Sequence, residues 1–383
     1  MVALLVVIGL LVAVFVGFNI GGSSTGVAFG PAVGSGVLTK FLAAALMTAF
    51  ALLGGWTVGR NVVQTMGSGL VETQFTLVAS VGILFFVGLA LLISNTFGVP
   101  ASTSMTAVGA IAGLGLARNE LIEGKMLEII SWWVVSPILA FWVCAVIGRY
   151  VYPYLEARFA IDRTAGTLLD VDRSGPLPRP TLGQDTTLRE FGGSLLVVLI
   201  ACYMAFSAGA SNTANAVAPL VGGGFITIEQ GIVLAAGAIG LGAFTIARRT
   251  LDTVGNDLTD LPILAALVVE VVSASIITGL SALGIPASLA VSATMCIVGL
   301  GWGRATRAAK IQDVVRGEGP EVSAGALAAD PPEEVPPVGE ESSEIAARNL
   351  FDPGTTGRVI FFWILTPSVS AFASFLLFSL VPA

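Results

Sequence analysis

Long apolar stretches separated by short polar turns dominate the pattern along the chain. A window of about 19 residues, the length of helix that crosses a bilayer, finds five such stretches in each half. They lie at residues 3–18, 41–58, 75–93, 105–116 and 129–150, and at residues 193–207, 231–246, 261–282, 287–301 and 359–380. The pattern predicts an all-α integral membrane protein with about ten membrane segments, within a range of ten to twelve.

Two polar, proline-rich stretches interrupt this pattern, at residues 156–190 and 314–357. Neither contains enough apolar residues to form a packed core. Both are therefore predicted to be linkers outside the membrane, the second largely disordered. The chain then divides into a first transmembrane repeat at 1–155, the linker at 156–190, and a second transmembrane repeat at 191–383 that the second linker interrupts.

The two halves resemble each other in sequence. Residues 18–39 align without gaps on residues 206–227 at an offset of 188, with ten identities in 22 positions. Residues 98–102 align on residues 284–288 at an offset of 186. Because each half has an odd number of spans, the second repeat enters the membrane in the opposite orientation. This predicts an inverted-topology repeat with broken or re-entrant helices, an arrangement typical of secondary transporters.

Positive charge predicts the orientation of the chain. When the spans alternate across the membrane, 15 of the 18 lysine and arginine residues fall on the side of the two linkers. The positive-inside rule therefore places both linkers in the cytoplasm and both termini outside. The expected location is the cell membrane, with multiple crossings.

Composition excludes several classes of function. Hydrophobic residues make up 55% of the chain and charged residues 11%, against about 25% charged in soluble domains. The absence of histidine excludes a Ser-His-Asp triad, a His-liganded zinc and a His proton relay. The chain has neither a phosphate-binding GxxxxGK[ST] loop nor a basic patch with aromatics that would indicate nucleic acid. No enzymatic activity, cofactor or metal centre is predicted.

Small and polar residues recur at matching positions in the two halves. A helix broken at Gly21–Thr25 or at Gly209–Asn215 would expose backbone N–H groups that bind an anion. The alternative is that these small residues only permit tight helix packing. The Pro-Ala-Ser segments, Pro100–Ser104 and Pro286–Ser288, add donors at helix starts. The candidate substrate-binding residues are Ser23, Ser24, Thr25, Ser102, Thr103, Ser104, Ser211, Asn212, Asn215 and Ser288.

Glu270 lies near the middle of an apolar span. An ionisable side chain at that depth costs several kcal/mol and is a functional candidate for that reason. It could carry a proton or help to hold a cation, so it is the candidate residue for the coupling ion. A structural hydrogen bond within the bundle is the alternative.

These segments resemble the inorganic phosphate transporter (PiT) family, whose two halves share a Gly-Ala-Asn-Asp-Val-Ala-Asn-Ala signature. Ser207–Leu220 and Gly30–Thr39 are similar to that signature, and Pro100–Met105 is similar to the Pro-Val-Ser-Thr-Thr-His segment of the family. An intramembrane Ala-Glu of the family corresponds to the site of Glu270. The resemblance implies secondary-active transport, with phosphate bound near the midplane between the repeats and sodium or protons co-transported.

The chain departs from the signature at both aspartate positions. Ser24 stands at the first and Asn212 at the second, and Met105 replaces the histidine. The sulfate-permease branch of the family is similar in lacking these carboxylates, and its Asn-Ile-Gly-Ala-Ser opening resembles Asn19–Ser23. A carboxylate can accept a hydrogen bond from the proton that phosphate retains, but it repels sulfate, which has no hydrogen bond to donate.

The expected function is therefore a secondary-active permease of a tetrahedral oxyanion, phosphate or sulfate. It would work by alternating access with a coupled cation, either a proton or sodium, and sodium is the one bound ion that the sequence leaves open. An anion channel or a non-transporting membrane scaffold is the alternative. The expected partners are the inorganic anion and the lipid bilayer, with a homodimer left open.

Overall fold

The computed structural model describes residues 2–96, 102–158, 169–172, 179–182, 188–247, 262–308 and 353–380. Within these ranges the chain forms twelve α-helices and one β-hairpin. The helices are α1 Val2–Gly34, α2 Lys40–Thr57, α3 Gly59–Ser68, α4 Leu77–Thr96, α5 Thr103–Arg118, α6 Glu123–Val146, α7 Tyr152–Arg158, α8 Leu188–Gly222, α9 Ile228–Thr245, α10 Ile263–Ala282, α11 Leu289–Ala305 and α12 Pro353–Leu380. A π-helix, Ile147–Val151, joins α6 to α7, and a 3-10 turn, Thr306–Ala308, follows α11.

Each of the ten predicted apolar segments lies in a separate helix. Seven helical segments of the described ranges are long and apolar enough to cross a membrane. Two further apolar helices, Leu77–Ile93 and Leu289–Ala305, are shorter. The prediction of an all-helical transmembrane region is confirmed, and the number of ten spans stays a prediction.

The turns that follow α1 and α8 are built in the same way. Gly36 and Gly224 adopt φ angles of 79° and 72°, which glycine adopts without strain. Thr39 and Thr227 then cap α2 and α9, because each hydroxyl oxygen accepts a hydrogen bond from the backbone N–H of the third helical residue. The side chain of Gln230 completes a capping box at α9.

Both α1 and α8 run unbroken through their Gly/Ser/Thr segments, Gly21–Thr25 and Gly209–Asn215. The prediction of helix breaks at these two segments is therefore wrong. Thr25 and Thr213 donate their hydroxyl hydrogen bonds to the carbonyl oxygen four residues earlier, at 2.6 and 2.7 Å. These hydroxyls are thus satisfied inside a continuous helix.

A helix interruption occurs instead between α10 and α11. Residues 283–288 are not helical, and Gly284 turns the chain with a φ of 72°. Ser288 then starts α11 as its N-cap. The matching segment between α4 and α5, residues 97–101, lies outside the described residues.

Helices from the two halves pack against each other in pairs. These pairs are α1 with α9, α2 with α8, α5 with α12, and α6 with α11. A Cβ on Gly21 would overlap the carbonyl oxygen of Ile239, and a Cβ on Gly209 would overlap that of Ala51. The small residues therefore bring helix backbones into direct contact, as in other membrane helix pairs. These contacts match the alternative prediction, in which the small residues permit tight helix packing.

The first linker contains a two-stranded antiparallel hairpin, β1 Leu169–Asp172 and β2 Arg179–Leu182. Leu169 stands opposite Leu182 in its register. Residues 314–352 of the second linker lie outside the described residues. Helix α12 begins at Pro353, inside the range that the sequence assigned to that linker.

Candidate anion-binding site

A small cavity lies where α1, α8 and the first turns of α5 and α11 meet. Its volume is about 60 Å³, several times the space that one buried water molecule needs. Six of the ten residues predicted to bind substrate are among those that line it. The lining residues are Ser23, Ser24, Val27, Leu91, Thr103, Ser104, Asn212, Ser288, Leu289 and Ala290.

Helix α5 begins at this cavity. Ser102 is its N-cap, and the Ser102 hydroxyl oxygen accepts a hydrogen bond from the backbone N–H of Met105 at 3.3 Å. Thr103 and Ser104 are the first two helical residues, and both line the cavity. The backbone N–H groups of a first turn have no partner within their own helix. The positive end of the α5 dipole therefore lies at the cavity.

Helix α11 begins at the same cavity from the second half of the chain. Its N-cap, Ser288, accepts a hydrogen bond from the backbone N–H of Val291 at 3.3 Å. The first two helical residues, Leu289 and Ala290, also line the cavity. Their side chains are apolar, but their backbone N–H groups belong to the first helical turn and have no partner within the helix. Two helix N-termini thus converge on one small space, as in known anion sites.

The other polar lining residues come from α1 and α8. Ser23 and Ser24 come from α1, and Asn212 comes from α8. The Ser23 hydroxyl lies 3.2 Å from the carbonyl oxygens of Asn19 and Ile20 in its own helix. Ser24 and Asn212, the two positions where the PiT signature has aspartate, therefore face the same cavity.

Four of the predicted residues are buried but do not line the cavity: Thr25, Ser102, Ser211 and Asn215. Thr25 and Ser211 donate hydrogen bonds to carbonyl oxygens of their own helices. Ser102 caps α5. Asn215 donates one hydrogen bond to the hydroxyl of Ser104, at 3.1 Å, and another to the side-chain oxygen of Asn212, at 3.0 Å.

The apolar part of the lining was not among the predicted residues and consists of Val27, Leu91, Leu289 and Ala290. For Leu289 and Ala290 a signal exists, because they directly follow the Pro-Ala-Ser segment that starts a helix. Their contribution to the site is through the backbone rather than the side chain. For Val27 and Leu91 no signal exists, since both are apolar residues inside apolar helices.

The described lining residues carry no charged side chain. Their polar groups are hydroxyls, one amide and the backbone N–H groups of two helix starts. Across all the residues that the structure describes, no group of three or more Cys, Asp or Glu side chains could hold a metal ion. The cavity therefore offers neutral hydrogen-bond donors to a negative ligand, without a carboxylate to accept a hydrogen bond from it.

Glu270, the predicted coupling residue, lies in α10 and does not line the cavity. Its side chain is 4% exposed. Neither carboxyl oxygen has a hydrogen-bond partner among the described residues. An ionisable side chain without a partner at such depth costs several kcal/mol, so Glu270 stays a functional candidate.

A helical membrane fold with a cavity lined by hydrogen-bond donors is the arrangement expected of a membrane transporter for a small anion. The chain belongs to the phosphate transporter family, whose model matches residues 20–374. The family assignment confirms the resemblance seen in the sequence. It also confirms the prediction of a transporter rather than an enzyme.

Two relatives and one solved structure show how far the similarity extends. The chain is 30% identical to the sulfate permease CysP of Bacillus subtilis strain 168 over 295 residues, which cover 76% of each protein. It is 27% identical to a candidate phosphate permease of Chlamydia pneumoniae over 409 aligned positions, 84% of this chain and 96% of the relative. Its fold is similar to the solved structure of "the sodium-dependent phosphate transporter", with a TM-score of 0.67 at 19% identity over 98% of this chain and 99% of that one.

Proposed function

We propose that this transporter carries a fully ionised tetrahedral oxyanion, with sulfate preferred to phosphate, and binds it in the cavity between α1, α5, α8 and α11. The observation that carries the proposal is the lining of neutral donors, with no carboxylate among the described residues that line the cavity. Sulfate can only accept hydrogen bonds. Hydrogen phosphate also has a proton to donate, and an unpaired buried donor costs binding free energy.

Phosphate is the second candidate, because the chain belongs to the phosphate transporter family. The positions of Ser24 and Asn212 favour sulfate. Both face the cavity, and both replace the carboxylate of the phosphate-family signature with a neutral group. The relative named as a sulfate permease is 30% identical, which supports the same choice.

The proposal includes transport by alternating access, which is typical of proteins with an inverted repeat. The packing of the two halves supports such a repeat. The contact of Gly21 with Ile239 and that of Gly209 with Ala51 are related by the sequence offset of 188 at both partners. Gly113 likewise meets the carbonyl of Ala371, and its counterpart Gly299 meets the carbonyl of Phe141. Corresponding contacts of this kind are expected when two similar halves pack around a pseudo-two-fold axis.

The proposal includes ten spans with both termini outside and both linkers in the cytoplasm, since most positive charges then lie inside. It also includes a coupled proton carried by Glu270, whose buried carboxyl group has no hydrogen-bond partner among the described residues. Co-transported sodium is the alternative for the coupling ion. Assembly as a homodimer stays a prediction.

The test is uptake of labelled sulfate and labelled phosphate, side by side, into proteoliposomes that contain the purified protein. A pH gradient and a sodium gradient are imposed separately. We expect sulfate to have the higher kcat/KM and the pH gradient to drive its accumulation. Preferential uptake of phosphate would refute the substrate choice. Counterflow of labelled anion against unlabelled anion would separate a carrier from a channel or a scaffold.

A further inference from the structure

The buried side chain of Asn215 connects two elements of the cavity wall. It is 1% exposed, and its Nδ2 lies 3.1 Å from the Ser104 hydroxyl oxygen in α5 and 3.0 Å from Oδ1 of Asn212 in α8. A side-chain amide has two N–H hydrogens. Both are therefore used, one on each of two residues that line the cavity.

The hydrogen bond from Asn215 to Asn212 determines which end of the Asn212 amide faces the cavity. The amide of asparagine has an acceptor oxygen at one end and an NH2 donor at the other. Because Oδ1 of Asn212 accepts the hydrogen bond from Asn215, the NH2 end is left for other partners. Asn212 lines the cavity, so it presents hydrogen-bond donors there. Without Asn215, rotation of the amide could present the acceptor oxygen instead.

The side chain of Asn215 also determines the direction in which the Ser104 hydroxyl can donate its hydrogen bond. A hydroxyl has one hydrogen to donate and two lone pairs that accept. Ser104 accepts the second hydrogen bond of Asn215, so its own hydrogen must point elsewhere. Since Ser104 also lines the cavity, that hydrogen is available to a ligand.

We infer that Asn215 is a positioning residue that determines substrate selectivity, because it holds Asn212 and Ser104 as hydrogen-bond donors toward the cavity. A wall of donors accommodates all four oxygens of sulfate or selenate. At these two positions the P–O–H or As–O–H group of phosphate or arsenate meets a donor instead of an acceptor, which selects against these anions. This inference rests on the proposed preference for sulfate and names the residue that enforces it.

The experiment compares Asn215→Ala with the unmodified protein in proteoliposomes. Inhibition of labelled sulfate uptake is measured with selenate, which has no proton near neutral pH, and with arsenate, which retains one. We expect the affinity for sulfate and selenate to fall by about tenfold. The affinity for phosphate and arsenate should stay the same or rise, so that the selenate-to-arsenate selectivity ratio falls by about tenfold or more.

Asn215→Asp provides a second, nearly isosteric variant. An ionised aspartate can only accept hydrogen bonds, so it reverses the direction of both bonds and withdraws both donors from the cavity. The ratio should fall in this variant too. Ser207→Ala is the matched control, because Ser207 is equally buried in α8 and donates a hydrogen bond across helices to the carbonyl of Ala274 at 3.0 Å. The control should keep the ratio.

A double-mutant cycle tests whether Asn215 acts on selectivity by orienting Asn212. In an Asn212→Ala background, the effect of Asn215→Ala on the ratio should shrink, because one of its two targets is gone. An equal loss of affinity for all four anions in the Asn215 variants would overturn the inference and leave Asn215 a packing residue. A preference of the unmodified protein for phosphate would instead refute the proposed function, before any variant is compared.

Discussion

Gly21 of α1 packs directly on the carbonyl group of Ile239 in α9, so closely that a Cβ on Gly21 would overlap the carbonyl oxygen. The contact explains why a glycine-rich segment can remain helical. The missing side chain lets two backbones approach each other, and the contact with α9 compensates for the low helix propensity of glycine.

Gly21→Ala should therefore destabilise the protein. Placing a methyl group against a fixed carbonyl forces the helices apart, and overpacking of this kind costs about 1–3 kcal/mol. We expect a lower midpoint of thermal unfolding in detergent. Gly237→Ala is the control, because Gly237 lies in α9 with open space at its Cβ position. A stability of Gly21→Ala equal to that of this control would contradict the packing role.

Removal of a donor from the cavity should weaken anion binding. Ser24→Ala and Asn212→Ala each delete a polar group that lines the cavity. A hydrogen bond to a charged ligand contributes about 1.5–3 kcal/mol, or roughly tenfold or more in affinity. Equilibrium binding of labelled sulfate measures the effect. Ser131→Ala, on an exposed face of α6, should bind like the unmodified protein. Unchanged affinity in both cavity variants would place the anion elsewhere.

Ser102→Ala should act differently from the cavity variants. The Ser102 side chain caps α5 and does not line the cavity, and loss of such a cap costs about 0.5–2 kcal/mol of stability. The midpoint of thermal unfolding should fall, and Ser102→Thr should restore most of it. A large loss of sulfate affinity at full stability would instead identify Ser102 as a direct ligand.

Glu270→Gln should separate coupling from exchange. Glutamine fills the same space but cannot release a proton, so accumulation driven by a pH gradient should be lost. Exchange of internal for external anion needs alternating access but no net proton movement, and should persist. Glu229→Gln is the control, because Glu229 is an exposed carboxylate paired with Arg60 at 3.0 Å. Full accumulation by Glu270→Gln would assign Glu270 to packing. Weakened sodium dependence with unchanged pH dependence would assign it to a sodium site.

Cysteine labelling tests the orientation. Ser379 lies in α12 near its C-terminal end, whereas Ser342 lies outside the described residues. A cysteine at Ser379 should react with an impermeant thiol reagent in intact cells, and a cysteine at Ser342 should be protected. The three natural cysteines are buried and give little background. The reverse labelling pattern would invert the topology.

The sequence predicted where the helices lie better than where they end or break. Apolar length placed a helix at every predicted segment, because burial in a bilayer depends on composition over many residues. Local propensity failed at Gly21 and Gly209, where a contact with a helix from the other half maintains the helix. That contact joins residues far apart in sequence, so no local window contains it.

The candidate site shows the same division. Serine and threonine after a proline identified Thr103 and Ser104, because a helix start places donors together. The sequence could not show that Ser104 lines the cavity, whereas Asn215 lies outside the lining and donates a hydrogen bond to Ser104. That distinction depends on the rotation of α8 against α5, which tertiary packing sets.

Helix α5 is synthesised long before α12, the helix on which it packs. The Ser374 hydroxyl donates a 2.6 Å hydrogen bond to the carbonyl of Ala110 across 264 residues of sequence, and Gly113 lies against the carbonyl of Ala371. Until α12 leaves the ribosome, this face of α5 can meet only lipid or the insertion machinery. The first half therefore completes its packing only after most of the second has been inserted, and a chain cut before α12 should be recognised as unfinished by membrane quality control.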